Sequence, residues 1–514
     1  MKIKLLIACF SISLAIQAQI SSSEIDQLVT NSLTAFNVPG IAVSVIKDGK
    51  VIHSKGYGVT SIVTNQKVDE NTLFGIASNS KAFTATALAI LIDEGKLKWD
   101  DKVITYLPDF KMYNDYVTNE FTIRDLLTHR SGLGLGAGDL MIWPDGSDFT
   151  PKDIIHNLRY LKPVSNFRTK FDYDNLLYIV AGEVIAKVSG KTWSEFIESR
   201  IITPLGMNRT AGSFVHLKDT TNLVTPHVPI QGKLKPISRY KNSILDAAGG
   251  MYSSVNDLNK WVLTQLNNGK NPENDIQLFS VKEHNEMWTL QTIIPMTTRP
   301  PYNTHFGGYG LGWFLSDIKG YKEVTHTGGL EGMVTQVTMI PELNLGIIVL
   351  TNQQSGSAFT AITNTIKNSY LNIPPTDLVA KYSEREKNAV SDSDKTTEEV
   401  WKTIETNKKD KKLKNNFEQL QGTYSDNWFG DITLTIKKNK LYFQSIRSKQ
   451  LVGEVFYYKE NIYAVKWNNR FFHADAFIYV SPDENGTPQN LKMKAISPLT
   501  DFSYDFHDLD FNRK

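Results

Sequence analysis

Ser78-Asn79-Ser80-Lys81 sets a hydroxyl and an amine three residues apart, a spacing that puts both on one face of a helix. A serine hydroxyl becomes a strong nucleophile only when a neighbouring base takes its proton. A lysine serves as that base when burial or nearby positive charge lowers its pKa toward neutrality. A helix N-terminus beneath the pair adds free backbone N–H groups and a partial positive charge, both suited to a developing oxyanion. Farther along, Tyr173-Asp174-Asn175 offers a phenol that can pass a proton beside a lysine, and an amide that can hold a substrate carbonyl. His326-Thr327-Gly328-Gly329 offers two polar side chains for substrate contact and two glycines that let a ligand approach the backbone. Each motif alone has a plain alternative: a serine-capped helix, a polar loop before a helix, a strand ending in a turn. Their order along one chain gives them meaning.

The elements that must position these residues are legible in outline. Ile41 to Ile46, then Asp48-Gly49, then Val51 to Ser54 read as a β-hairpin with a tight turn. Apolar residues recur at helical spacing from Ser80 to Leu97 (Phe83, Ala87, Ile90, Leu91), and Gly95 closes the pattern. Residues 121–128 and 178–188 predict further helices. Strand alternation is expected at 310–315, 323–326, 333–340 and 345–350, with a helix over about 357–370. A hairpin, many helices, more strands and a last helix predict an α+β fold whose sheet gathers both ends of the domain. Pro374-Pro375 ends that unit. Residues 373–416 follow as a charged linker, whose stretch 381–414 reads as solvated linker or exposed helix. After Phe417, short alternating strands (432–436, 441–444, 453–458, 462–465, 471–479, 491–496) predict a small antiparallel barrel or sandwich over 417–514.

The three motifs, in this order and spacing, resemble the serine β-lactamase, penicillin-binding protein and esterase superfamily, most of all its class C β-lactamase-related branch. Leu126-Leu127-Thr128-His129-Arg130-Ser131-Gly132-Leu133, Ala247 to Ser254 and Tyr309-Gly310-Leu311-Gly312-Trp313 are similar to stretches of the same family. The resemblance covers a domain of residues 24–372. It implies an antiparallel sheet flanked by helices, with a mostly helical subdomain and the site in the seam. It implies Ser78 as the acylated nucleophile, Lys81 as its proton acceptor and Tyr173 as its partner in acid–base transfer. Asn175 would orient the substrate, His326, Thr327, Gly328 and Gly329 would contact it, and the N–H groups of Ser78 and Gly329 would hold the oxyanion. His326 stands where true β-lactamases usually carry a lysine that helps hold a substrate carboxylate, which favours the peptidase and esterase relatives. Asp174 is an added charge that either raises the Lys81 pKa or faces solvent. His129-Arg130-Ser131, at a helix end, reads as structural. The trailing barrel resembles the lipocalin-like modules found behind such hydrolases.

Composition narrows the field. At roughly 100–200 residues per domain, 514 residues predict two to three domains. Fifty-six Lys and Arg against 54 Asp and Glu give a net charge of +2, so no global field recruits nucleic acid or an anionic membrane. Cys9 is the single cysteine, which excludes intramolecular disulfides and Cys-based zinc sites. Met1 to Lys4 and the apolar run from Leu5 to Ile16 read as a secretory signal peptide, residues 1–18, cut after Ala18. The sequence contains no recognised metal-ligand or nucleotide-binding motif, so no cofactor is expected. The expectation is a periplasmic or secreted serine hydrolase, D-peptidase or esterase in type, acting on a peptide or small-molecule substrate, with no nucleic-acid partner and no membrane span. The rivals are a true β-lactamase and a non-catalytic protein that binds cell-wall peptides or glycans.

Overall fold

A computed structural model describes residues 19–410 and 417–514; the expected signal peptide lies outside the described residues. The first domain is built on an eight-stranded antiparallel sheet. Its strands are β1 (Gly40–Lys47), β2 (Lys50–Gly58), β3 (Thr292–Ile293), β4 (Gly307–Tyr309), β5 (Phe314–Ile318), β6 (Tyr321–Leu330), β7 (Met333–Ile340) and β8 (Leu345–Thr351). They lie in the order β2-β1-β8-β7-β6-β5-β4-β3. The first hairpin thus pairs with the last strand, Val43 opposite Val349, and the sheet joins both ends of the domain.

β1 is apolar on both faces because both are covered. Ile41, Val43 and Val45 meet α1 (Ser22–Ala35), while Ala42 and Ile46 join the larger core on the other side. α2 (Ser80–Asp93) is buried at every position from Ser80 to Leu91, as a helix without a polar face must be. Gly95, at φ +70°, ends it in the left-handed conformation that favours glycine. The frame also includes four longer helices, α3 (Leu176–Ser189), α4 (Val255–Leu266), α5 (Gly356–Tyr370) and α6 (Leu378–Lys409), besides several short ones.

The structure corrects the sequence reading in several places. Residues 310–313 are not strand but a turn between β4 and β5. Gly312 (φ +81°) sits so close to α2 that a Cβ there would lie 2.9 Å from the Lys81 carbonyl oxygen. Of the two readings of 381–414, solvated linker or exposed helix, the helix is the one formed: Leu378–Lys409 is the single helix α6. Its buried stripe includes Val379, packed on the hydrolase-side core, and Val400 and Ile404, packed against Ala464 and Ile496 of the second domain. The expected strand 471–479 does not start at 471: Arg470–Phe472 forms a 3-10 turn, where Asp475 accepts the Trp467 N–H and pairs with Arg470 at 2.6 Å, and the strand begins at Ala476.

The second domain is a closed eight-stranded antiparallel barrel: β9 (Gly422–Asp426), β10 (Gly430–Lys437), β11 (Lys440–Ser445), β12 (Val452–Lys459), β13 (Ile462–Trp467), β14 (Ala476–Pro482), β15 (Pro488–Ala495) and β16 (Asp510–Arg513). β9 and β16, unanticipated in the sequence, close it by pairing Tyr424 with Arg513 and Ser425 with Asn512. Side chains including Phe443, Trp467 and Phe511 fill its interior. The domains meet through apolar contacts such as Phe149 on Phe429 and through ion pairs: Arg447 reaches Asp148 (2.7 Å) and Asp153 (3.1 Å), and Lys162 reaches Asp510 (2.8 Å). Among the described residues no helix is long and apolar enough to cross a membrane.

Candidate active site

Ser78 lies on a 3-10 turn, Ala77–Asn79, that leads into α2. Ala77 before it has φ +50°, a backbone state that costs a non-glycine residue on the order of 1 kcal/mol or more. Contacts from three sides hold that conformation. The Ile76 N–H donates to the Met251 carbonyl (2.9 Å), the Thr335 hydroxyl donates to the Ile76 carbonyl (2.9 Å), and the Asn79 amide donates to Thr335 Oγ1 (2.9 Å). β6 presses against the same turn at Gly328, where an added Cβ would stand 2.3 Å from the Ile76 oxygen.

Lys81, one turn on, is fully buried. Its Nζ is 3.1 Å from Ser78 Oγ, 2.7 Å from Asn175 Oδ1 and 2.8 Å from the Ala248 carbonyl. An ammonium donates to all three. A neutral amine donates to Asn175 and Ala248 and aims its lone pair at the Ser78 hydroxyl. Burial lowers the Lys81 pKa to about 7, while Asp139 and Asp174 pull it back up. The base-competent form is therefore abundant at neutral pH.

Tyr173 lines the cavity in front of this pair, its ring 4.8 Å from Lys81 Nζ. Burial holds its pKa well above the ordinary phenol value, with a hydrogen bond to Ser78 acting the other way. At rest it is a neutral phenol, a proton donor and relay rather than a base. Asn175 spans two roles: its carbonyl accepts from Lys81 and its NH₂ donates to Asp139 Oδ2 at 2.7 Å. Asp174 does not face solvent. It is fully buried, and its carboxylate caps α3 by accepting the N–H groups of Leu176 (2.9 Å) and Leu177 (3.4 Å).

His326 is buried and both its ring nitrogens are occupied. Nδ1 is 2.6 Å from the Thr327 carbonyl, which only accepts, so Nδ1 carries the proton. Nε2 then accepts from the Tyr309 hydroxyl at 2.9 Å. Burial and the nearby Lys81 drive the His326 pKa down to about 3, so it offers substrate no cation. Of the glycines, Gly329 lines the cavity and Gly328 does not. The expectation that both admit a ligand is corrected: Gly328 is small so that the strand can touch the nucleophile's own turn. Thr327 is exposed and lines the cavity.

Several residues of the site escaped the sequence. His129 stacks on the Tyr173 ring at a centroid distance of 4.2 Å, and its Nδ1 accepts the Asp174 N–H at 3.0 Å. It is a buried part of the site wall, whereas Arg130 beside it pairs with Asp125. Membership of the 126–133 stretch was the one signal that marked it. Tyr309 was marked in the same way, by the 309–313 stretch, while Asp139 carries no local pattern that announces its role.

The cavity in front of Ser78 has a volume of about 600 Å³. Trp143, Phe171 and Phe314 line it from the first domain, and Phe471, Phe472 and Phe502 from the barrel. Phe471 and Phe472 both pack with the hydrophobic core and form cavity wall. Neither Lys nor Arg occurs among its described lining residues. Among the described residues no group of three His, Cys, Asp or Glu is arranged to hold a metal ion.

Comparison with known proteins bears on the family and the fold. A family model described as Beta-lactamase matches residues 25–370, and one described as Domain of unknown function (DUF3471) matches 406–513. "Unguisins hydrolase ungD'" of Aspergillus campestris is 28% identical over 363 residues, 68% of this chain and 65% of the relative. "Protein flp" of Staphylococcus aureus (strain MW2) is 27% identical over 347 residues, 65% of this chain and 64% of the relative. The chain thus spans about two thirds of the length of these relatives. In fold it is similar to the octameric penicillin-binding protein homologue from Pyrococcus abyssi, with a TM-score of 0.61 at 23% identity, covering 96% of this chain and 100% of that one.

Proposed function

The chain belongs to the beta-lactamase family, and from that premise we propose that it is a serine hydrolase that opens an ester or amide through an acyl-enzyme on Ser78. The observation that carries this reading is the buried Lys81 amine, 3.1 Å from Ser78 Oγ with its other two contacts already taken. Neutral Lys81 takes the Ser78 proton as Oγ attacks the substrate carbonyl carbon, and the carbonyl electrons move onto oxygen. Collapse of the tetrahedral intermediate breaks the bond to the leaving group, which takes a proton from Tyr173; protonated Lys81 then reprotonates the phenol. Water enters and gives a proton to the Lys81–Tyr173 pair as its oxygen attacks the acyl carbon; the pair returns that proton to Ser78 Oγ as the acyl–oxygen bond breaks and the acid leaves.

Substrate choice follows from what lines the cavity. Aromatic walls, a neutral His326 and the lack of Lys or Arg among the described lining residues favour an uncharged or apolar acyl group over one anchored by a carboxylate. This supports an esterase- or D-peptidase-like activity over β-lactam hydrolysis. The Aspergillus relative is named a hydrolase, in keeping with a hydrolytic reaction. The N-terminal segment supports export to the periplasm as the place of action.

An uncharged alkyl fluorophosphonate tests the reaction. Intact mass should show one adduct on the wild type and none on Ser78→Ala; absence from both would leave a binding protein without catalysis. Nitrocefin, p-nitrophenyl acetate and D-Ala p-nitroanilide then rank the substrates, and fast nitrocefin turnover would reverse the preference.

A further inference from the structure

The catalytic residues all lie in the first domain, yet the hydrogen bonds behind them end in the barrel. Asp139 is fully buried on a short turn, Asp139–Met141. Its Oδ2 accepts from the Asn175 amide at 2.7 Å and from the Ser503 hydroxyl at 2.8 Å. Asn175 in turn accepts from Lys81 at 2.7 Å. The same barrel loop fixes the turn that bears Asp139: Asp505 accepts the N–H of Gly138 (2.7 Å) and of Leu140 (3.0 Å). Phe502 meets the Tyr173 ring edge-on at 5.9 Å.

We propose that Ser503 is a positioning residue for the catalytic amine: through Asp139 and Asn175, the last loop of the barrel fixes where Lys81 sits and which charge it faces. Ser503 Oγ–H donates to Asp139 and so favours its carboxylate form in a place where burial and the neighbouring Asp174 favour the neutral acid. A charged Asp139 stabilises the ammonium form of Lys81. The titratable groups facing Lys81 are Asp139, the Asp174 and Tyr173 that precede α3, Tyr178 on α3, His129 on the preceding loop and His326 on β6. Asp505 and Asp174 face Asp139. Ser503 is the group among these partners that arrives from the second domain and carries no charge of its own. Replacing it by Ala or Thr therefore changes the carboxylate's hydrogen bonding without adding or removing a titratable site, and Cys adds only a thiol whose ordinary pKa of about 8.5 lies above the acid limb.

The inference rests on the acyl-enzyme reading, and the test separates the two. The second-order rate of fluorophosphonate labelling is measured against pH on full-length wild type, Ser503→Ala, Ser503→Cys and Ser503→Thr. An unlabelled wild type defeats the acyl-enzyme reading itself. With a labelled wild type, Ser503→Ala should shift the acid limb to lower pH by about half a unit or more, as loss of a facing negative charge requires. Ser503→Cys, nearly the same size but a weak donor, should follow it, and Ser503→Thr should restore the wild-type limb. A limb that stays in place in Ser503→Ala and Ser503→Cys, whatever their thermal stability, overturns the proposal. A shift to higher pH overturns it too, since that is the sign of a loop that only keeps water out.

Discussion

Acidification is the perturbation that reads the catalytic base most directly. Burial brings Lys81 from 10.5 to about 7. At pH 7 an ordinary lysine is a neutral amine in only about one molecule in 3,000, so the shift multiplies the reactive population by about three decades. Below pH 7 the labelling rate of Ser78 should fall about tenfold per unit, and above pH 8 it should level off. The probe must be an uncharged fluorophosphonate so that only the protein titrates. A rate flat from pH 5 to 9, or a limb that persists in the residual reaction of Lys81→Ala, would refute the assignment of Lys81 as base. The same shift has a thermodynamic twin. Between the folded value near 7 and the unfolded value of 10.5, the unfolded chain holds a proton that the folded chain lacks. Lys81 therefore makes stability rise with pH across that window, by at most about 5 kcal/mol. Lys81→Met should remove that rise and unfold at higher urea than wild type at pH 7, where the unmodified protein carries nearly the whole penalty.

Three further outcomes follow from the same geometry. Tyr173→Phe should lower the acylation rate by about 100-fold or more while leaving the pH limb where it is, because the phenol relays a proton and the amine sets the titration. Gly328→Ala would push a methyl to within 2.3 Å of the Ile76 oxygen and 2.9 Å of Ala77 Cβ. It should cost about 1–3 kcal/mol in urea unfolding and abolish most labelling, whereas Gly329→Ala, with nothing within 4 Å of the new carbon, should alter KM with little change in stability. His326 should remain the neutral Nδ1–H tautomer from pH 5 to 8 in nitrogen-15 spectra; a titration near 6.5 would contradict its buried pairing with Tyr309.

The sequence discloses what is local. An Asp-Gly turn between β-branched runs gives the hairpin, and a stretch from Ala82 to Leu91 that carries no charge gives the helix that buries Lys81. What it withholds depends on contacts between distant segments. Residues 310–313 have strand-like composition, yet they turn because α2 leaves no room for a side chain at Gly312. β9 and β16 are short, polar on one face and separated by the whole barrel, so neither shows a pattern until the other pairs with it. The Ser503–Asp139 bond spans 364 residues. No periodicity marks it, and Asp139 stands in a run of Gly, Ala and Leu that reads as a plain loop.

Burial is the common cause behind the electrostatics of this site, and it acts on both signs of charge. It lowers Lys81, His129 and His326 and raises Tyr173, Asp139 and Asp174, so each group is moved toward its uncharged form. A Ser-x-x-Lys pair on an exposed helix would keep an ammonium that cannot accept a proton. The chemistry therefore depends on whatever excludes water from Lys81, and that enclosure belongs to both domains. α2, α3 and β6 surround the amine, and the barrel contributes Phe471, Phe472, Phe502 and Ser503 to the cavity in front of it. On this argument the barrel's contribution lies in the reaction step itself. Substitutions at Ser503 should change how the rate depends on pH, whereas substitutions at Arg447, whose ion pairs to Asp148 and Asp153 join the domains outside the cavity lining, should change stability alone.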